Sequence, residues 1–167
     1  AEARRLGLRP TLSTNGTLID DAVAKRLGRL GNVSPALSVE GMKERTDLRR
    51  GDGVFDKVLA AMERLRREGV IIGVSLTATR LNADEILSDE VVETFFDRIG
   101  ASYAFVFHYM PIGRKFTLDL MMTPEQRLRL FERVWWLVRN KHIFIADFWN
   151  SATATNGCLA AGRAGGY

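Results

Sequence analysis

An α/β fold, a partial parallel (β/α) barrel truncated at both ends, is predicted by three features of the sequence. Short apolar or β-branched runs alternate with longer segments whose apolar residues recur at helical spacing. Successive runs lie about 25 to 40 residues apart, enough for a helical crossover between parallel strands. Polar residues and glycines gather where each run ends, as they do at the C-terminal rim of a barrel.

Residues 10–14 (Pro-Thr-Leu-Ser-Thr) read as a short strand ending in the turn pair Asn15-Gly16. From about residue 18, Ile19, Val23, Leu27 and Leu30 follow at helical spacing, and Gly31 serves as the C-cap. Residues 33–39 make the second strand, with Pro35 weakening its early part. The helix at 53–68 has Phe55, Val58, Leu59, Met62 and Leu65 on one face and ends at Gly69. Val70 to Thr79 is a long, β-branched third strand. A helix at 88–99 begins at Ser88, with Asp89 and Glu90 where they complement the helix dipole. Its apolar stripe is Val91, Val92, Phe95, Phe96 and Ile99.

Tyr103 to Met110 is the fourth strand. Thr123-Pro124-Glu125-Gln126 is a helix start, with Thr as N-cap, Pro at the first helical position and Gln completing a capping box. That helix runs to about Asn140, and Ile143 to Phe148 supplies the fifth strand. Strands alternating with helices imply right-handed crossovers and a parallel sheet. The pattern suits a barrel arc or an open doubly wound sheet. No G-x-G-x-x-G follows the first strand, which favours the barrel over a dinucleotide-binding domain.

The 46% hydrophobic and 26% charged content of the 167 residues is that of a globular protein. No run approaches the roughly 20 apolar residues of a membrane span, and no secretory start is present. The expectation is a cytoplasmic protein without a membrane partner. The net charge of +4 is dispersed, and Arg49-Arg50 and Arg64-Arg66-Arg67 read as solvated helix surface. A nucleic-acid binder concentrates such charge and interleaves aromatics, so no nucleic-acid partner is expected. The opening reads as the last turns of a helix, and residues 157–167 as a glycine-rich loop leading nowhere. A fragment is the expectation.

The strand ends read Ser13-Thr14-Asn15-Gly16, Ser38-Val39-Glu40-Gly41, Thr77-Ala78-Thr79-Arg80, Tyr109-Met110-Pro111-Ile112-Gly113 and Asp147-Phe148-Trp149-Asn150. Strand alternation turns Ser38 and Glu40 to one side, and likewise Ser75, Thr77 and Thr79. A carboxylate with a hydroxyl two residues away suits a ribose diol or an amine; it also suits a turn-stabilising pair. His108 is expected to face the helices if Phe107 and Tyr109 face the lumen, and His142 to be exposed. Trp135 and Trp136 are read as core and rim packing. No Ser-His-Asp, H-E-x-x-H or paired-cysteine arrangement is present.

The ordered motifs T-N-G-T-L, L-S-V-E-G, R-R-G-x-G-V-F, L-R-R-E-G-V, V-S-L-T-A-T-R-x-N and Y-M-P-I-G resemble those of radical S-adenosylmethionine enzymes. The similarity is greatest to the SPASM or twitch branch, whose C-terminal extension carries further iron–sulfur clusters. It covers nearly the whole chain from about residue 9. The resemblance implies a partial (β/α)6 barrel in which the first strand here is the third. Residues 1–150 would be this partial barrel, and residues 151–167 the start of the extension. The family's C-x-x-x-C-x-x-C loop for the [4Fe–4S] cluster and its G-G-E motif are not in these residues.

By the same resemblance, Ser38 and Glu40 match the ribose-contacting strand, although the family often carries Asp at the position of Glu40. Arg80 matches a position where a basic residue meets a carboxylate of cofactor or substrate. Met110, within Tyr109-Met110-Pro111, matches the strand whose end packs on the adenine. Ser13 and Asn15 match polar positions near cofactor or substrate, and Thr77 and Thr79 line the neighbouring strand end. Cys158, the one cysteine, resembles the opening of the extension and would ligate an auxiliary iron–sulfur cluster.

The implied activity is cleavage of S-adenosylmethionine to a 5′-deoxyadenosyl radical that abstracts hydrogen from a peptide or protein substrate. A ferredoxin- or flavodoxin-like reductant would supply the electron. The fragment alone, without the cluster loop, is expected to be inactive. The competing readings are a non-radical barrel lyase or aldolase and a non-catalytic barrel binding module.

Overall fold

The computed structural model describes residues 2–113 and 117–150. Five strands form one sheet: β1 (Thr11–Thr14), β2 (Ser34–Val39), β3 (Gly73–Ala78), β4 (Tyr103–His108) and β5 (Phe144–Asp147). All four pairings are parallel and the strands lie in sequence order. The helices are α1 (Glu2–Arg5), α2 (Asp21–Leu30), α3 (Lys43–Arg50), α4 (Val54–Arg67), α5 (Asp89–Val92, continuing as a π-helical turn over Glu93–Arg98) and α6 (Pro124–Asn140). A short 3-10 turn, Leu118–Leu120, precedes α6.

One face of the sheet carries the core. Leu37, Val39, Val74, Leu76, Ala78, Ala104, Val106 and Ile145 pack with Ala24 of α2, with Phe55, Val58, Met62 and Leu65 of α4, with Phe95 and Phe96, and with Leu130, Val134 and Leu137 of α6. A doubly wound sheet reverses its strand order and covers both faces with helices. Sequential order with helices on one face is the arc of a barrel. The opposite, lumen face presents Ala36, Ser38, Ser75, Thr77, Phe105 and Phe107.

Local chemistry explains most element boundaries. Asp20 caps α2 by accepting from the Val23 N–H at 2.8 Å, and Gly31 closes it in the left-handed region at φ 65°. Ile19 and Leu27 pack against the core as their spacing predicts, while Val23 is exposed and the fully buried residue of α2 is Ala24. The capping box at Thr123 and Gln126 forms as the sequence predicts. Helix α3 was not expected. Its sequence, Lys43-Glu44-Arg45-Thr46-Asp47-Leu48-Arg49-Arg50, carries almost no apolar stripe, and only Thr46 is buried. Trp136 is exposed and Trp135 half-buried, with Arg133 and Arg139 over their rings. They lie outside the core rather than within it.

Counting β1 as the third strand of a six-stranded barrel leaves places for four strands, and the sheet has five. β5 runs parallel to β4 and extends the arc by one. No helix among the described residues is long and apolar enough to cross a membrane.

Candidate functional site

The lumen face divides into two strips. On β2 and β3, Ser38 sits opposite Ser75, and Thr77 follows two residues on. None of the hydrogen bonds among the described residues uses these three hydroxyls. On β4 and just past β5, Tyr103, Phe105, Phe107 and Phe148 form a continuous aromatic wall. Their ring centroids are 5.1 Å apart for Tyr103–Phe105, 5.7 Å for Phe105–Phe148 and 4.7 Å for the stacked Phe107–Phe148 pair. The strips adjoin directly, because Ser75 pairs with Phe105 and Thr77 with Phe107. At the base of the wall the Tyr103 ring lies over Gly73, and its hydroxyl reaches across β3 to donate to the Ser34 carbonyl at 3.2 Å. Burial pushes the Tyr103 phenol above its ordinary range, against the Ser34 hydroxyl, which donates to the phenol oxygen at 2.9 Å.

Beyond the strands, the rim loops hold one another. Glu40 is 1% exposed. Its Oε2 takes Arg49 Nη1 at 2.5 Å, and its Oε1 takes Arg50 Nε at 2.9 Å and Nη2 at 2.5 Å. Both arginines come from the end of α3. Each carboxylate oxygen already has a guanidinium partner, so any ligand hydroxyl here would share an occupied oxygen. Glu40 N–H donates to Thr46 Oγ1 at 3.1 Å, and that hydroxyl donates to the Gly41 carbonyl at 3.1 Å.

The other residues singled out in the sequence are dispersed along the rim. Ser13 and Asn15 are exposed at the end of β1, and Asn15 Oδ1 accepts from the Thr17 N–H and hydroxyl. Thr79 is buried, with its hydroxyl donating to Asn82 Oδ1 at 2.9 Å. Arg80 is exposed; its N–H donates to the Leu120 carbonyl and its Nε to the Met121 carbonyl at 2.8 Å, tethering the segment before α6. The Tyr109 hydroxyl accepts from Thr117 N–H at 3.2 Å. Met110 is exposed and Pro111 half-buried beside it. Cys158 lies outside the described residues.

A buried pair that the sequence reading did not connect lies on the helix side of the rim. His108 Nε2 is 3.1 Å from Asp147 Oδ1, both side chains almost fully covered. His108 faces the helices as its strand parity predicts. Burial alone would raise the Asp147 carboxyl, but His108 and the N–H groups of Asn150 and Trp149 together hold it below its usual value. Among the described residues no group of three or more His, Cys, Asp or Glu side chains gathers to hold a metal ion.

The sequence profile of the Radical SAM superfamily matches residues 1–95, more than half of the chain. The chain belongs to the radical SAM superfamily. Among curated relatives, the Fe-coproporphyrin III synthase of Methanosarcina barkeri is 38% identical over 87 residues, covering 52% of this chain and 22% of that protein. The mycofactocin maturase MftC of Mycolicibacterium smegmatis is 31% identical over 166 residues, covering 96% of this chain and 40% of that protein. Among solved structures, anSMEcpe with bound AdoMet and the Cp18Cys peptide superposes with a TM-score of 0.68 at 23% identity, covering 93% of this chain and 45% of that one. SuiB of Streptococcus suis bound to S-adenosylmethionine gives 0.71 at 16% identity, covering 95% and 40%. These likenesses show the fold. This chain spans less than half the length of each of the four.

Proposed function

We propose that this chain is the cofactor-gripping arc of a radical S-adenosylmethionine enzyme that modifies a peptide or protein. The observation that carries the reading is the hydroxyl strip of Ser38, Ser75 and Thr77. It lines the lumen, enters no hydrogen bond among the described residues, and adjoins an aromatic wall. A nucleoside needs this combination, with donors and acceptors for its ribose and flat apolar surface for its base. Ser38 and Thr77 would meet the ribose, with Glu40 sharing a carboxylate oxygen. Met110, Pro111 and Tyr109 would bound the adenine, and Arg80, with guanidinium Nη groups to offer, would meet a carboxylate. Ser13 and Asn15 would face substrate or cofactor from β1. Thr79 would act only through the loop it braces.

The chemistry that cofactor and reduced cluster supply when bound is one-electron cleavage followed by hydrogen-atom abstraction. These residues would orient the cofactor and keep water from it. A single cysteine does not satisfy a three-cysteine cluster loop, so no step of cluster chemistry is assigned to these 167 residues. Cys158 would be a ligand of an auxiliary cluster at the start of a SPASM-like extension over residues 151–167. The parent enzyme would be cytoplasmic and would draw its electron from a ferredoxin- or flavodoxin-like reductant.

A peptide substrate is favoured by the 96% coverage of this chain in its match to the mycofactocin maturase, and by solved neighbours that hold peptides, including SuiB with its precursor SuiA. A tetrapyrrole substrate is the second reading, favoured by the 38% identity to the Fe-coproporphyrin III synthase. The test is anaerobic reconstitution of the full-length gene product with iron, sulfide and dithionite, followed by assay for 5′-deoxyadenosine. Its formation from S-adenosylmethionine is expected, while the 167-residue chain alone should give none above a no-protein control. Absence of product from the full-length protein would refute the radical reading. Cys158→Ala should lower bound iron while leaving cofactor cleavage measurable, and unchanged iron would remove the auxiliary-ligand role.

A further inference from the structure

We propose that Asn82, seconded by Glu85, is a positioning residue that fixes the turn after β2 in the shape the cofactor site requires. Its functional consequence rests on the radical S-adenosylmethionine reading above. Sheet pairing between β2 and β3 ends at Val39 and Leu76. Past that point the two strand ends have no ladder to hold them together, and Asn82 takes over. Its Nδ2 donates to the Glu40 carbonyl and to the Thr77 carbonyl, each at 3.0 Å. Its Oδ1 accepts from Thr79 N–H at 2.7 Å and from the Thr79 hydroxyl at 2.9 Å. A side-chain amide has two donor hydrogens and two acceptor lone pairs, and here all four are used. The residue is 4% exposed, so these groups are largely withdrawn from bulk solvent.

Glu85, three residues on, reaches the same turn. Its Oε1 accepts from Met42 N–H at 2.8 Å, and its Oε2 lies 3.3 Å from Arg45 Nε. Between them is Gly41 at φ 124°, a backbone state that side chains disfavour. A β-carbon added there would come within 2.5 Å of Glu85 Oε1. The glycine therefore admits the carboxylate as well as the turn. One four-residue stretch of the loop after β3 thus holds the Glu40 carbonyl and the Met42 N–H on either side of Gly41. This leaves the Glu40 carboxylate to the arginines and the Ser38 hydroxyl to the lumen. The Asn82 part of this network is buried and fully satisfied, and such a network specifies one geometry.

Asn82→Asp keeps size and the acceptor oxygen but removes both donors. Glu85→Ala removes the acceptor for Met42, and Glu85→Gln restores it. In the full-length gene product, the dissociation constant for S-adenosylmethionine should rise about tenfold in Asn82→Asp and Glu85→Ala, the size of one lost hydrogen bond. Glu85→Gln should stay within about twofold of wild type. Measurements well below each variant's Tm separate positioning from unfolding. In the 167-residue chain, amide exchange at Met42 should quicken in Glu85→Ala and recover in Glu85→Gln.

A dissociation constant unmoved in both variants while Tm falls would overturn the proposal, leaving a purely structural clasp. If Asn82→Asp does not fold, the Glu85 pair decides alone. If the wild-type protein binds no S-adenosylmethionine, the functional reading fails. The exchange result then stands by itself, and equal Met42 exchange in wild type and Glu85→Ala would overturn the clasp too.

Discussion

Arg50 grips the buried carboxylate of Glu40 with two nitrogens on one oxygen, Nε at 2.9 Å and Nη2 at 2.5 Å. Arg49 takes the other oxygen. A carboxylate removed from water keeps its charge only if such partners replace the lost hydration. The three residues form one network and do not act as independent pairs.

Arg50→Met should therefore destabilise the chain by about 3 kcal/mol, the lower end of the range for breaking a buried pair, because the Arg50 side chain keeps some exposure. Glu40→Gln in the same background should recover part of the loss, since a neutral amide needs no counter-charge. Urea unfolding of the two variants checks this. Equal stability of the single and double variants would show that the charge of Glu40 is not what Arg50 balances.

Gly73 and Tyr103 are register partners on the adjacent strands β3 and β4 at the lumen base. A β-carbon on Gly73 would come within 2.3 Å of the Tyr103 ring. The ring is held in place by its bond to Ser34, so it cannot swing aside without losing that bond. Gly73→Ala should cost about 1–3 kcal/mol by overpacking. Tyr103→Leu should cost stability alone, but in the Gly73→Ala background the two losses should add to less than their sum. A double-mutant cycle by denaturant unfolding measures that coupling. Strict additivity would contradict the packing account.

Asp147 sets a pH dependence whose direction follows from its lowered carboxyl pKa. The group holds fewer protons folded than unfolded, so its stabilising contribution is full above the unfolded value of about 4. That contribution is lost as pH falls through the lower folded value. The Asp147 carboxyl's share of the stability gap between wild type and Asp147→Asn should thus shrink as pH falls below about pH 4. Urea unfolding across that range tests it. A gap that widens on acidification would reverse the sign of the argument.

The strands, their parallel order and the inward face of α4 were legible because each depends on local periodicity. The capping box at Thr123 and the cap at Gly31 were legible because their partners lie within four residues. Helix α3 was not, because its polar sequence has no stripe to announce it. The arginines that occupy Glu40 therefore seemed to be solvated surface. Asn82 and Glu85 escaped for a different reason. Thr79-x-x-Asn82 is a local loop signal, yet the groups that give it meaning, the Glu40 carbonyl and Met42 N–H, lie about forty residues away on another loop. The His108–Asp147 contact likewise required the register of β4 against β5. Sequence distance, rather than residue type, set the limit.

Thr77 lies on the lumen face of β3 and Thr79 just past its end, and their hydroxyls differ in what they do, which yields a discriminating test. The Thr79 hydroxyl donates to Asn82 Oδ1 and accepts from Leu81 N–H at 3.3 Å. The Thr77 hydroxyl, half-buried in the lumen, enters no hydrogen bond among the described residues. Valine has the same shape as threonine with a methyl for the hydroxyl. Thr79→Val should lower stability by about 1–2 kcal/mol, because it strands buried partners. Thr77→Val should leave stability within about 0.5 kcal/mol, since no protein partner is lost. If the hydroxyl strip grips a nucleoside, Thr77→Val should nonetheless weaken S-adenosylmethionine binding about fivefold in the full-length gene product. Paired denaturation and equilibrium-dialysis measurements read both quantities. Thr77→Val that loses stability but keeps its cofactor affinity would place the strip's role in folding rather than in recognition.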